Sequence, residues 1–225
     1  CVSVFPWQGT ILSVLDYNMP TWTNRHMKPL LIATNNQHKF IEMTQILAPL
    51  PFRFLSANDI GLDVDVTEDG LSYLENARKK ALAFFHASGL PTLADDSGLE
   101  VAALQGAPGI LSHRYAPKPN ATDADRCAYL LSRLAPHPKP WVAAFHCEVV
   151  LYTGVGTAYN AHGICPGFII EEPRGDNGFG YDPIFVLEGA TQTMAELDNV
   201  TKNTLSHRAR ALQTAMPFLS DFANS

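Results

Sequence analysis

Apolar positions change period along the chain, and the changes divide it into elements. Residues 30–33 form a short continuous apolar run that ends in a polar cluster, residues 34–39. Phe40, Ile41, Met43, Ile46 and Leu47 then recur at helical spacing. This stretch predicts a strand, a polar loop and a helix. A second strand is predicted at 52–55. Across 75–86, Leu74, Ala77, Ala81, Leu82 and Phe85 describe an amphipathic helix, and its exposed face carries Arg78, Lys79 and Lys80, most of them read as solvated charges. Residues 91–94 predict a short buried strand with Asp95-Asp96-Ser97-Gly98 at its end. Residues 117–125 read as an exposed loop, and 124–134 as a helix closed by the prolines of 136–140. Residues 142–152 alternate and are β-rich, with 158–164 as the return strand of a hairpin. A further strand starts at 168–170. A glycine-rich loop follows at 173–182, then a strand at 183–187 and a helix over 201–218 entered through Lys202-Asn203. The expectation is an α/β fold with a mixed, twisted, partly antiparallel sheet and flanking helices.

Composition narrows the class. The 225 residues are 46% hydrophobic, enough for a sizeable core in one domain or two joined lobes. Charged residues make up 17%, which excludes a disordered or coiled-coil composition. The net charge of −6 speaks against binding to a nucleic-acid backbone, which needs clustered Lys and Arg. No apolar run approaches the roughly 18 residues of a membrane span. Cys1, Cys127, Cys147 and Cys165 form no C-x-x-C pair, so a reduced, cytoplasmic protein is expected. Residues 1–26 hold apolar patches without a basic start. They are read as an extension of uncertain order, or as preceding a natural start at Met27, with the domain over 27–225.

Three features could carry chemistry. The polar loop 34–39 opens a helix, where free N–H groups and the helix dipole favour an anion. A plain helix cap by Thr34 or Asn36 would look the same. Asp95 and Asp96 point in different directions, so one could hold a metal while the other orients water; Mg²⁺ commonly takes one or two carboxylates plus phosphate oxygens. An Asx-turn is the bland alternative. Asp63, Asp65, Glu68, Asp69 and Glu75 form an acidic approach that matters only if it folds onto Asp96. Third, Ser206-His207-Arg208 follows Lys202 at spacing that shares one helix face. Both His207 and Arg208 can donate to a purine carbonyl or a phosphate. No P-loop is present.

Taken in order, these blocks resemble the inosine triphosphate pyrophosphatase family, the Ham1-type pyrophosphatases of non-standard purine nucleotides. The resemblance runs from about Leu30 to about Leu212. It rests on Ala33-Thr34-Asn35-Asn36-Gln37-His38-Lys39, Glu68-Asp69-Gly70, Leu74-Glu75-Asn76-Ala77 and Leu93-Ala94-Asp95-Asp96-Ser97-Gly98-Leu99. It continues through Leu104-Gln105-Gly106-Ala107-Pro108-Gly109, Gly178-Phe179-Gly180-Tyr181-Asp182-Pro183, and Lys202-Asn203 leading to Ser206-His207-Arg208-Ala209. Asp95-Asp96-Ser97-Gly98 is closer to the bacterial branch, whose substrates include dITP and XTP.

The resemblance implies two lobes around a central cleft, a homodimer, and Mg²⁺-dependent hydrolysis of ITP, dITP, XTP or dXTP to the monophosphate and pyrophosphate. It implies that Thr34, Asn35, Asn36, Gln37, His38 and Lys39 line the triphosphate. Glu68 and Asp96 hold the metal, with Asp96 also the proton acceptor for the attacking water. Ser97 contacts substrate. Phe179, Gly180, Tyr181 and Asp182 form the base pocket, completed by Lys202, His207 and Arg208. The family usually has glycine where this chain has Asn35, and a small or basic residue where it has His38; Asn is the residue next most tolerant of a positive φ. A Maf-type pyrophosphatase of other nucleotides and a catalytically weak nucleotide-binding protein are the alternatives.

Overall fold

The computed structural model describes residues 27–154 and 158–225; the expectation about residues 1–26 lies outside them. Three strands open the sheet: β1 (Lys28–Ile32), β2 (Phe52–Leu55) and β3 (Thr92–Val101). They are connected by α1 (Gln37–Ile46) and α2 (Tyr73–Ser88). β1 pairs with β2 and with β3 in parallel, which requires such crossovers. Then come α3 (Asp123–Leu134), β4 (Trp141–Tyr152), β5 (Tyr159–Ile169), β6 (Phe185–Leu187), α4 (Asn199–Leu205) and α5 (His207–Asn224). β3 through β6 pair antiparallel, giving one six-stranded sheet in the order β2-β1-β3-β4-β5-β6. The expected mixed α/β architecture is what forms.

Alternation explains how the sheet is covered. Trp141, Ala143, Phe145, Cys147, Val149 and Leu151 of β4 are buried on one face. Two core clusters share that face. One packs α1 and α5 around Leu30, Ile32, Leu93 and Val149; the other packs α3 and the glycine-rich loop around Leu99, Phe145 and Phe185. On the opposite face α2 covers Leu31, Ala94 and Val150. The two clusters on one face of the long strands are the two lobes, and the gap between them lies over the middle of β3.

Three expectations are corrected here. The strand expected at 91–94 continues to Val101, paired with β4 along its whole length, so Asp95-Asp96-Ser97-Gly98 lies mid-strand and makes no turn. The strands read at 158–164 and 168–170 are one strand, β5. Gly163, Pro166 and Gly167 break the pattern in sequence, but the glycines serve close packing: a Cβ on Gly163 would strike the backbone of His207 and Ala211, and one on Gly167 would strike that of Val186. Finally, the helix expected over 201–218 is two. Ser206 ends α4 with an extended backbone, and its side chain accepts from the Ala209 N–H to cap α5.

Candidate active site

Strand lengths open the cleft. β1 pairs with β3 only through Leu31 and Ile32, and the Ala33 N–H to the Leu93 carbonyl at 2.8 Å is the last rung. β3 continues to Val101, and no strand covers that edge from Ala94 to Leu99, before the isolated bridge from Glu100 to Pro108. A cavity of about 700 Å³ follows this edge. Side chains alternate along β3, so Asp95 and Asp96 point to opposite faces of the sheet.

Asp95 faces α1 and α5. Its carboxylate meets Lys39 at 3.0 Å and accepts from the Arg208 guanidinium at 2.9 and 3.1 Å. Burial alone would raise its pKa, but Lys39, Arg208 and Lys80 outweigh burial and hold it far below the ordinary range. Arg208 also pairs with Glu42, and Glu42 pairs with Lys202 at 2.7 Å. Lys202 in turn reaches Asp182 at 2.6 Å. Glu42, buried on α1, was given no role from sequence; it joins two cations of the site.

Asp96 faces α2. Its carboxylate accepts from Asn76 at 3.0 Å and lies 3.6 Å from the Lys80 ammonium. The same ammonium is 2.7 Å from Glu68. Lys80, on the face expected to carry solvated charges, is 9% exposed and stands between the two carboxylates expected to hold a metal. The missed signal is periodic. Tyr73, Asn76, Ala77, Lys80, Ala81 and Phe84 are the buried positions of α2, an i, i+3, i+4 stripe in which two members are polar. Burial raises the Asp96 pKa despite Lys80 and Lys39, whereas for Glu68 Lys80 overcomes the effect of burial and lowers it. Among the described residues no three His, Cys, Asp or Glu side chains are grouped to hold a metal ion.

The glycine-rich loop forms the other wall. Asp182 is buried, accepts from the Phe179 N–H at 2.9 Å and holds Lys202. Gly178 has φ +78°, and a Cβ there would strike Asp182 and Lys202. The Gly180 N–H donates to Asp123 of α3 at 2.7 Å, and the Tyr181 hydroxyl donates to the Ser112 carbonyl at 2.8 Å. Phe179 is thereby fixed with Lys202 Nζ 4.8 Å and Arg208 Cζ 5.6 Å from its ring centre. His207 stacks on Phe145, and its Nδ1 is buried with no hydrogen-bond partner among the described residues. Burial, then Arg208 and Lys202, keep this imidazole neutral, well below the usual histidine pKa.

Of the residues the resemblance assigns to the site, Thr34, Asn35, Asn36, His38, Lys39, Glu68, Asp96, Ser97, Phe179, Gly180, Tyr181, Asp182, Lys202 and His207 line the cleft. Two do not. Gln37 is exposed on α1, and Arg208 is fully buried behind the wall, with each guanidinium nitrogen already donating to Glu42, Asp95 or Ser97. The polar loop satisfies both of its readings, because Asn36 caps α1 by accepting from the His38 and Lys39 N–H groups while the loop borders the cleft. Asn35 does not take a positive φ; among the described non-glycine residues only Gln105 and Asn120 do. The backbone of this loop therefore does not require glycine at position 35.

Comparison with known proteins agrees. The family model described as Ham1 family matches residues 30–218. The dITP/XTP pyrophosphatase of Desulforamulus reducens is 43% identical, covering 85% of this chain and 95% of its own. That of Geobacter sulfurreducens is 46% identical, over 83% and 94%. Among solved structures, a HAM1 protein from Coxiella burnetii superposes with a TM-score of 0.78 at 41% identity, covering 87% of this chain and all (100%) of its own.

Proposed function

We propose that this chain, which belongs to the Ham1 family, hydrolyses non-standard purine nucleoside triphosphates, the ITP/dITP and XTP/dXTP class, to the monophosphate and pyrophosphate. One observation carries the reading. A single cleft joins a carboxylate of raised pKa, Asp96, and the cations Lys39 and Lys80 to an aromatic ring, Phe179, beside a neutral histidine with an unpaired nitrogen. Phosphoryl chemistry asks mainly for alignment and charge neutralisation, and the first half of that list supplies them. The second half suits a flat base.

In this reading water attacks the α-phosphorus, the bond to the bridging oxygen breaks, and pyrophosphate leaves. Asp96 takes the proton from water; burial makes it a stronger base than an exposed aspartate. Lys39 leaves Asp95 to meet the phosphates. Ser97 and the loop of Thr34, Asn35 and Asn36 orient them. The residues present fit Mg²⁺: Glu68 and Asp96 already share a cation, the Lys80 ammonium, and this metal needs only one or two carboxylates when water and phosphate complete its shell. When bound, such an ion neutralises the triphosphate and acidifies water.

His207 favours a 6-oxo purine. With Nδ1 protonated it donates to the oxo group, whereas the 6-amino group of adenine would leave it unpaired. A buried donor left unpaired costs about 1–3 kcal/mol, a preference of roughly 5- to 150-fold. The same reading takes the protein to be a cytoplasmic homodimer. No described helix is long and apolar enough to cross a membrane.

Product analysis tests the activity. ITP with Mg²⁺ should give IMP and pyrophosphate, and Asp96→Asn should abolish turnover while leaving the protein folded. Diphosphate plus orthophosphate, or no turnover of any 6-oxo purine triphosphate, would overturn the reading.

A further inference from the structure

We infer that His38 is the place-holder of the base site: its imidazole occupies the stacking position on Phe179, and a purine binds by displacing it. The inference rests on the reading above that the base stacks on Phe179. The His38 and Phe179 ring centres are 5.6 Å apart with their planes 28° from parallel, a stacked pair. Two stacked layers need roughly 3.5 Å between carbon surfaces at each contact, so a base inserted between the rings would need about 7 Å. The rings must therefore separate, or one must leave, before a base can lie on Phe179.

What can leave follows from how each neighbour is held. Phe179 is fixed through its N–H to Asp182 and by its neighbour Gly180 to Asp123. Lys202 and Arg208, the cations over the ring, are buried and tied to Asp182, Glu42 and Asp95. His38 differs in both respects. It is exposed, and its ring has no hydrogen-bond partner among the described residues. Its backbone stays anchored because its N–H donates to Asn36. Only χ rotation is needed to swing the imidazole off Phe179, at the cost of the stack.

This reassigns His38. The resemblance put it on the triphosphate, but its ring points across the cleft to the base loop, while Lys39 beside it faces Asp95. One turn of α1 thus offers a cation to one end of the substrate and a removable ring to the other. An intramolecular stack of this kind competes with the base and filters for it: a planar base replaces the contact it breaks, whereas inorganic polyphosphate neither breaks nor replaces it.

The test compares wild type with His38→Ala and His38→Phe, reading KM and kcat for ITP and the inhibition constant of inorganic tripolyphosphate. An aromatic pair is worth a free energy that converts to roughly a two- to tenfold change in affinity. His38→Ala should lower KM for ITP by that factor, and His38→Phe should raise it. The effect should sit in KM, with tripolyphosphate inhibition equal in all three proteins. A KM for ITP that is unchanged or raised in His38→Ala overturns the inference, as does a parallel shift in tripolyphosphate inhibition, which would return His38 to the phosphates. Wild-type turnover of ITP, measured first, separates this outcome from failure of the proposed activity.

Discussion

Replacing Arg208 with methionine separates two roles that the sequence alone could not. Arg208 is 0% exposed, and its guanidinium lies between Asp95 and Glu42, both buried. Removing one partner of a buried ion pair costs about 3–5 kcal/mol, because the other charge stays behind without compensation. Here two carboxylates are left, but each keeps a cation: Lys39 at 3.0 Å for Asp95 and Lys202 at 2.7 Å for Glu42. The loss should therefore fall at the lower end, about 3 kcal/mol. For a domain of this size that lowers Tm by roughly 6–12 °C, read by circular dichroism at neutral pH. A cycle with Asp95→Asn should show non-additivity, with a coupling of roughly 0.5–3 kcal/mol. The reasoning is refuted if Arg208→Met melts within about 2 °C of wild type yet loses discrimination between inosine and adenosine triphosphates. That pattern belongs to a base contact, not to a buried strut.

Two further outcomes follow from the same geometry. Lys80→Met removes the cation between Glu68 and Asp96, so Mg²⁺ should raise the Tm of the variant more than that of wild type; equal rises would show that the two carboxylates do not share an ion. Acid should destabilise the fold early. His207 is held below 6.5 and Asp95 below 3.8, so in both cases the unfolded chain binds the proton first as pH falls. Stability is then complete above the ordinary histidine value and is lost below it, with a second loss in the carboxylate range. The raised pKa values of Asp96 and Asp182 act in the opposite sense and offset part of the second loss. A Tm that stays flat from pH 7.5 down to roughly pH 5 would contradict the buried neutral state of His207.

Period and apolar run length made the strands and helices readable, because those depend on nearest neighbours and on one buried face. What sequence missed was set by distant partners. Aspartate is disfavoured in strands, so Asp95-Asp96 reads as a strand end. β4 nevertheless pairs past it through Asp95↔Val149 and Asp96↔Glu148, while Lys39, Arg208, Asn76 and Lys80 satisfy the carboxylates from two faces. Lys80 is legible in principle, since it sits on the buried stripe of α2, where position outweighs charge. The break at Ser206 was legible too, as a residue type preferred at N-caps. Arg208 was not. Nothing local distinguishes a guanidinium that faces a ligand from one that faces Glu42, 166 positions away in the chain.

Six charges, all buried but Lys39, alternate in sign, and that order constrains what can bind. Asp95 lies between Lys39 and Arg208, Glu42 between Arg208 and Lys202, and Asp182 beside Lys202 and the Phe179 N–H. Each charge offsets the desolvation of its neighbours, so the row is tolerable in the interior only as a unit. Lys39 is its one end at the phosphate side of the cleft, and Asp182 its end at the base loop. A polyanion that draws Lys39 away leaves Asp95 with Arg208 and the more distant Lys80, and one Asp95 oxygen already has no partner among the described residues. The ligand least costly to this row is one that carries compensating positive charge with it. A nucleoside triphosphate paired with a divalent ion meets that condition, whereas a bare triphosphate of the same shape does not.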